Sequence, residues 1–165
     1  MRPDKNSSER VREAFEHVDV RGFIWAATRP GVMSTGQRRR FLAEAVLAPI
    51  EGLLTNERSL NILRKLHTNE QITQEDKDAA DDETEAPVNA AYAVAYAVAA
   101  VYATEATEAS WAVAASVASV ASAVWWATYN VAGVADAADS ARAEARNAQA
   151  KWIRENVKLS DLHIN

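Results

Sequence analysis

Hydrophobic residues in the first 72 positions recur every three or four residues, which is the spacing of an amphipathic α-helix. One such stripe lies within residues 11–18. Two more helices are predicted downstream, after capping residues at Ser34 or Thr35 and at Asn56. Their core-facing residues are Phe41, Leu42, Ala45, Val46 and Ile50 in the first, and Leu60, Ile62, Leu63 and Leu66 in the second. The pattern predicts mixed helices over residues 1–72.

The second half of the chain keeps this periodicity in a different composition. Roughly two residues in five between positions 86 and 150 are alanine, and that stretch has no Leu, Ile or Phe. Alanine is the best intrinsic helix former and a poor strand former. We expect three helices, over about residues 87–103, 107–129 and 134–157, with Asn130 and Gly133 marking the second break. The first break has weaker signals, so one bent helix over residues 87–129 is an open alternative.

The central helix of these three has two apolar stripes on nearly opposite sides, about 200° apart. A helix that is apolar on both sides is expected to be buried between its neighbours. The helix over residues 134–157 has one alanine stripe and charged residues elsewhere, so we expect it to be outer and half-exposed. The two central stripes are Val113, Val117, Val120, Val124 and Val131, and Trp111, Ala115, Ala118, Ser122, Trp125 and Tyr129.

Length and composition place these helices in one domain. The chain has 165 residues, 48% of them hydrophobic, and no cysteine. The lack of cysteine excludes disulfides, thiolate nucleophiles and cysteine-based zinc sites. We predict an all-α single domain spanning residues 1–165, either a helical bundle or a short solenoid-like stack. Its C-terminal half, residues 87–158, is predicted to consist of long, close-packed alanine-rich helices.

Charge is distributed unevenly along the chain. The net charge of −5 combines about +3 over residues 1–72, about −8 over residues 73–108 and a nearly neutral remainder. Clustered carboxylates speed association with a basic partner by electrostatic steering. The acidic segment, residues 73–86, is therefore predicted to be a docking face for a basic protein such as a toxin or nuclease domain. The predicted partner-binding residues are Asp76, Asp78, Asp81, Asp82, Glu83 and Glu85.

Aromatic residues and a basic cluster add two further hypotheses. Tyr92, Tyr96 and Trp111 are candidate anchors for a protein partner if they are exposed, and core residues otherwise. Residues 38–40, three consecutive arginines, are the basic cluster that phosphate or RNA would contact. An acidic chain is a poor candidate for non-specific nucleic-acid binding, so a nucleic-acid partner is not favoured.

The sequence shows no catalytic constellation. His17, His67 and His163 lie far apart and share no metal-ligand spacing. Residues 31–36 have the glycine spacing of a phosphate loop, but Gln37 stands where that loop needs lysine. No catalytic residue, cofactor site or metal site is predicted, and the chain is interpreted as a non-enzyme.

Two uncharged stretches, residues 86–104 and 109–135, are long enough to span a bilayer. Alanine drives membrane insertion weakly, and the strong drivers Leu, Ile and Phe are absent from both stretches. Buried helices in a water-soluble protein are therefore favoured over a holin-like membrane hairpin. The polar N-terminus has no apolar signal segment, and a cytoplasmic location is expected.

Four stretches resemble the alanine-rich immunity proteins of bacterial polymorphic toxin systems. They are FLAEAVL (41–47), NERSLNIL (56–63), residues 90–103 and ARAEARNAQ (141–149), and Ser59 stands where that family has proline. The resemblance covers residue 41 to the C-terminus and implies a cytoplasmic inhibitor that binds and blocks a cognate toxin. The alternative is a phage or mobile-element protein, acting on host defence or as a structural component. A homo-oligomer is compatible with either function.

Overall fold

A computed structural model describes residues 20–29, 32–81 and 88–157. These residues fold into helices packed against one another, and none of them lies in a strand, which confirms the predicted all-α fold. The stripe at residues 11–18 lies outside the described residues. In chain order the elements are α1 (Val20–Ala27), α2 (Thr35–Phe41), a π-helical turn (Leu42–Val46), a 3-10 helix (Ala48–Leu53), α3 (Glu57–Thr68), α4 (Gln74–Asp81), α5 (Val88–Tyr102), α6 (Ala106–Ala132) and α7 (Ala135–Asn156).

The capping residues predicted for α2 and α3 are confirmed. Ser34 begins α2 with a capping box, because its hydroxyl accepts from the Gln37 backbone N–H at 3.1 Å while Gln37 Oε1 accepts from the Ser34 N–H at 2.9 Å. Asn56 begins α3, and its Oδ1 accepts from the Arg58 N–H at 2.8 Å. Both helices therefore start where their side chains satisfy otherwise unpaired backbone donors.

The centre of the core is the irregular segment between α2 and α3. The helix widens into the π-helical turn and then tightens into the 3-10 helix, in whose first turn Pro49 has no N–H to donate. Because of these changes of pitch, most of the apolar side chains between residues 41 and 50 face the core. Its fully buried side chains are Phe41, Leu42, Val46, Leu47 and Ile50.

The alanine-rich half contains separate helices, so the alternative of one bent helix over residues 87–129 is wrong. Residues 103–105 are not helical and separate α5 from α6, and the two helices pack together as a hairpin. Small side chains let the two backbones approach closely. The buried Ser116 hydroxyl on α6 donates to the Ala93 carbonyl on α5 at 2.8 Å, which fixes the register of the pair.

The expectation that α6 is buried on both sides is wrong. On its valine side, Val113 and Val120 are 1% and 0% exposed and belong to the core, whereas Val131 near the end of the helix is 90% exposed. On the aromatic side, Trp111 and Tyr129 are 64% and 37% exposed, so that side is not covered along its length. The outer, half-exposed position expected for α7 is confirmed, since it buries alanines and the end residues Trp152 and Ile153 and exposes most charged positions.

Alanine substitutions at two glycines are expected to change the free energy of unfolding in opposite directions. Gly133 ends α6 in the left-handed region at φ 65°, while Gly36 lies in the first turn of α2, and a methyl group at either position meets no atom within 4 Å. We expect Gly133→Ala to destabilise the fold by about 1 kcal/mol because a side chain disfavours that backbone conformation. Gly36→Ala should stabilise it by about 0.5–1 kcal/mol by restricting the unfolded chain. Urea unfolding of both variants checks this, and a shift of the same sign in both would contradict it.

Candidate functional site

Asp76, one of the predicted docking residues, has an internal role in the structure. Its carboxylate accepts from Lys65 Nζ at 2.9 and 2.8 Å, and from the backbone N–H and hydroxyl of Thr73 at 2.8 and 2.9 Å. The Thr73 hydroxyl in turn accepts from the Asp76 N–H at 3.2 Å, which completes a capping box for α4. Asp76 is buried and joins α4 to α3, so it contributes nothing to an exposed face.

The environment of Asp76 keeps its carboxylate ionised. Burial raises the pKa of this group, but the hydrogen bonds from Lys65 and Thr73, together with the charge of Lys65, more than offset that effect and hold the pKa below its ordinary value. The Thr-x-x-Asp spacing at residues 73–76 is the local sequence signal for this cap, and it distinguishes Asp76 from the other carboxylates of the acidic segment.

Asp78 and Asp81 are exposed on α4, as a docking face requires. Gln74 Nε2 donates to Asp78 Oδ1 at 2.8 Å, and Lys77 Nζ pairs with Asp81 Oδ2 at 2.9 Å. The hydrogen bond to Asp81, followed by its charge, raises the pKa of Lys77. Asp82, Glu83 and Glu85 lie outside the described residues. Two of the six predicted carboxylates are thus placed on one exposed helix.

The candidate aromatic anchors form one exposed cluster on α5 and α6. The Tyr96 ring lies 6.4 Å from Tyr92 and meets Trp111 edge-to-face at 5.5 Å. Tyr92 is 55% exposed, and the exposed fraction of Trp111 is larger still. The exposure that the anchor hypothesis required is therefore present, and we call Tyr92, Tyr96 and Trp111 the α5–α6 aromatic cluster.

A second aromatic cluster lies at the far end of α6. Trp125 stacks on Tyr129 with ring centres 5.1 Å apart, and Trp126 meets both rings edge-on. Trp125 is held in place by its indole N–H, which donates to Asp139 on α7 at 2.9 Å. The sequence stripe included Trp125 and Tyr129 but missed Trp126, which is 52% exposed.

The arginine cluster at residues 38–40 is used inside the fold. Arg39 donates to the backbone carbonyls of Lys65, at 2.7 Å, and Glu70, and so binds the carboxyl end of α3. Arg40 pairs with Glu44 at 3.2 Å. Arginine at the carboxyl end of a helix satisfies its unpaired carbonyls and complements its dipole. These contacts account for two of the three arginines without a nucleic acid.

No protein-family model, curated protein or solved structure matches this chain.

Two further features of the described residues bear on function. They contain no group of three or more His, Asp and Glu side chains arranged to hold a metal ion. Within the same ranges, α6 is long and apolar enough to cross a membrane by length and composition, and 39% of its most apolar window is buried in the fold. A single helix of this kind is weak evidence for a membrane span, because core helices of water-soluble proteins pass the same test.

Proposed function

We propose that this chain is a protein-binding inhibitor, of the toxin-neutralising immunity class, that docks on a basic partner protein in the cytoplasm. The supporting observation is the α5–α6 aromatic cluster, in which Tyr92 and Trp111 are mostly exposed beside Tyr96. Tyrosine and tryptophan carry much of the binding energy at protein interfaces, because they bury a large area at a small cost in side-chain entropy. Three such rings in contact form a ready anchor site.

The acidic helix α4 packs on the same hairpin and supplies an electrostatic rim. α4 contacts α5, the helix that carries Tyr92 and Tyr96. Asp78 and Asp81 are exposed on α4 and put negative charge on the element that packs against this hairpin. An aromatic centre with an acidic rim is complementary to a partner surface that presents apolar pockets among lysine or arginine residues.

The packing of α6 supports this proposal over the holin-like hairpin. α6 contacts α5, α7 and the 3-10 helix, and its Ser116 hydroxyl is used within the fold. A membrane hairpin of α5 and α6 alone would have to leave the hydrophobic cluster that joins both helices to α2, α3 and α7. That cluster buries the larger apolar residues of the chain, whose exposure to water is costly.

The proposal predicts that the aromatic cluster carries the affinity for the partner. The partner is first identified by affinity capture from the source cells and mass spectrometry, then purified and titrated against the full chain by biolayer interferometry. We expect Tyr92→Ala combined with Trp111→Ala to weaken binding by about 100-fold or more, since two anchor residues are removed. Trp126→Ala is the matched control, because Trp126 is a large, exposed ring on the same helix.

The acidic rim should act on the rate of association. Reversing the charges of Asp78 and Asp81 to lysine is expected to slow association by about 10-fold at low ionic strength, with little change in dissociation. High salt should remove the difference between the variant and the wild type.

Full affinity in the Tyr92/Trp111 variant, or equal loss in the Trp126 control, would refute the proposed docking surface.

A further inference from the structure

A groove of about 380 Å³ lies between α1, α6 and α7, away from the α5–α6 aromatic cluster. This volume is within the range of about 300–1,000 Å³ typical of small-molecule sites. No residue of the aromatic cluster or of α4 lines it. The described residues that do are Arg21, Ile24, Trp25, Thr28, Ala114, Val117, Ala118, Ala121, Ser122, Arg142 and Arg146.

The small side chains of α6 create the groove. Ala114, Ala118 and Ala121 form its floor with Val117, so nothing on this side of α6 reaches far enough to fill the space between α1 and α7. Trp25 of α1 forms one wall and is 57% exposed. The Arg29 guanidinium lies over the Trp25 ring at 4.5 Å from its centre, which supports the ring by a cation–π contact. The result is an apolar trench with an aromatic wall.

The polar groups of the groove are predominantly cationic. Arg21 comes from α1, and Arg142 and Arg146 come from successive turns of α7, while no described lining residue carries a negative charge. Asp139, on the preceding turn of α7, accepts from Arg142 Nη2 at 3.0 Å. This bond orients the Arg142 guanidinium and uses only part of its five donors. Arginine side chains from α1 and α7 thus line a groove whose floor is apolar.

We propose that this groove binds an organic carboxylate with an apolar body, such as a medium-chain fatty acid. Arginine pairs with a carboxylate through two parallel hydrogen bonds, and the apolar body would cover the alanine and valine floor. An inorganic anion would pair with the arginines but would leave the apolar floor exposed to water. A neutral apolar molecule covers the floor but partly desolvates the guanidinium groups without giving them an acceptor. The combination of charge and apolar surface therefore selects a molecule that has both.

The first test compares three probes on the full chain by isothermal titration calorimetry. Octanoate has the carboxylate and the apolar body, 1-octanol has the same body without the charge, and inorganic phosphate has charge without the body. We expect octanoate to bind at least about 10-fold more tightly than either comparator, because one bidentate charged pair is worth that much. Equal affinities for octanoate and 1-octanol, or no octanoate binding, would overturn the proposal.

The second test places the ligand in this groove. Ala118→Phe should fill the groove and reduce octanoate affinity by at least about 10-fold, since Ala118 is exposed on α6 and lines the floor. Ala132→Phe is the matched control, because Ala132 is exposed on the same helix and does not line the groove. Arg21→Gln combined with Arg142→Gln should weaken octanoate and leave 1-octanol unchanged.

Circular dichroism establishes that each variant is folded before its affinity is measured. Undiminished octanoate binding to the Ala118→Phe protein, or an equal loss in the Ala132→Phe control, would show that the ligand binds elsewhere and would overturn the assignment. Because the groove shares no residue with the docking surface, this result is independent of the partner-binding experiments.

Discussion

Replacement of Trp152 by alanine is expected to reduce the free energy of unfolding by about 3–5 kcal/mol. Trp152 attaches the end of α7 to the core, where its ring lies 5.4 Å from that of the fully buried Phe41. Its indole N–H donates to Glu44 Oε2 at 2.7 Å. The variant leaves a cavity beside Phe41 and removes this hydrogen bond. Equilibrium urea unfolding followed by circular dichroism measures the loss.

Trp152→Phe is the control that separates volume from hydrogen bonding. Phenylalanine retains much of the ring contact with Phe41 and loses the N–H donor, so we expect a smaller loss, on the order of 1–2 kcal/mol. The hydrogen bond from Trp152, followed by that from Arg40, lowers the pKa of Glu44. Removing the indole donor should therefore raise the pKa of Glu44. A loss below about 1 kcal/mol for Trp152→Ala would contradict the central role of this contact.

Removal of either partner of the Lys65–Asp76 pair is the second large expected effect. The two side chains are 18% and 9% exposed, and they meet at 2.8 Å. Lys65→Met leaves the Asp76 carboxylate buried without its cation, and Asp76→Ala also removes the capping box of α4. Breaking a fully buried ion pair on one side costs about 3–5 kcal/mol, and the partial exposure of Lys65 places this pair at the lower end of that range. Thermal and urea unfolding of both variants measure the loss, which should be of that order in each.

The same pair predicts how stability depends on pH. The pKa of Asp76 is lower in the folded state than in the unfolded chain. The ionised Asp76 therefore contributes fully to the free energy of unfolding above the unfolded pKa of about 3.9. This contribution is lost as pH falls through the lower pKa of the folded state. The stability difference between wild type and Asp76→Asn should therefore shrink below about pH 4. Asp81→Ala is the control, since Asp81 pairs with Lys77 at the surface, where solvent screens the interaction and its loss should change stability little. An unchanged difference across the acid range would contradict this account.

Local sequence signals predicted the helices well because their causes are local. The Ser34 and Asn56 caps depend on a side chain and a backbone N–H only two or three residues away. The left-handed backbone conformation that ends α6 likewise depends on one residue, Gly133. Alanine content predicted the long helices, and the short break at residues 103–105 was the point where local signals were weakest. The sequence placed the break correctly but left one bent helix as an alternative, which only the structure excluded.

Exposure of the aromatic residues could not be predicted in the same way. The helical spacing of Trp111, Trp125 and Tyr129 indicates that they share one side of α6, but the spacing is the same for a core stripe and a surface stripe. The decision depends on the neighbours: α5 and α7 pack on the flanks of α6 and leave this side open. The acidic segment shows the converse, since Asp76 belongs to a charge run by sequence and to a buried ion pair by structure.

By itself, the sequence determined the helical class, the helix caps, the alanine-rich packing surfaces and the acidic segment, because propensity, periodicity and charge act over one or two turns. The tertiary structure alone decided which apolar side of α6 faces water, which carboxylate is internal, and that Arg21, Arg142 and Arg146 line one groove. These outcomes depend on contacts between residues far apart in the chain, whose geometry is set by how whole helices pack. The candidate docking surface and the groove between α1, α6 and α7 both depend on such long-range contacts.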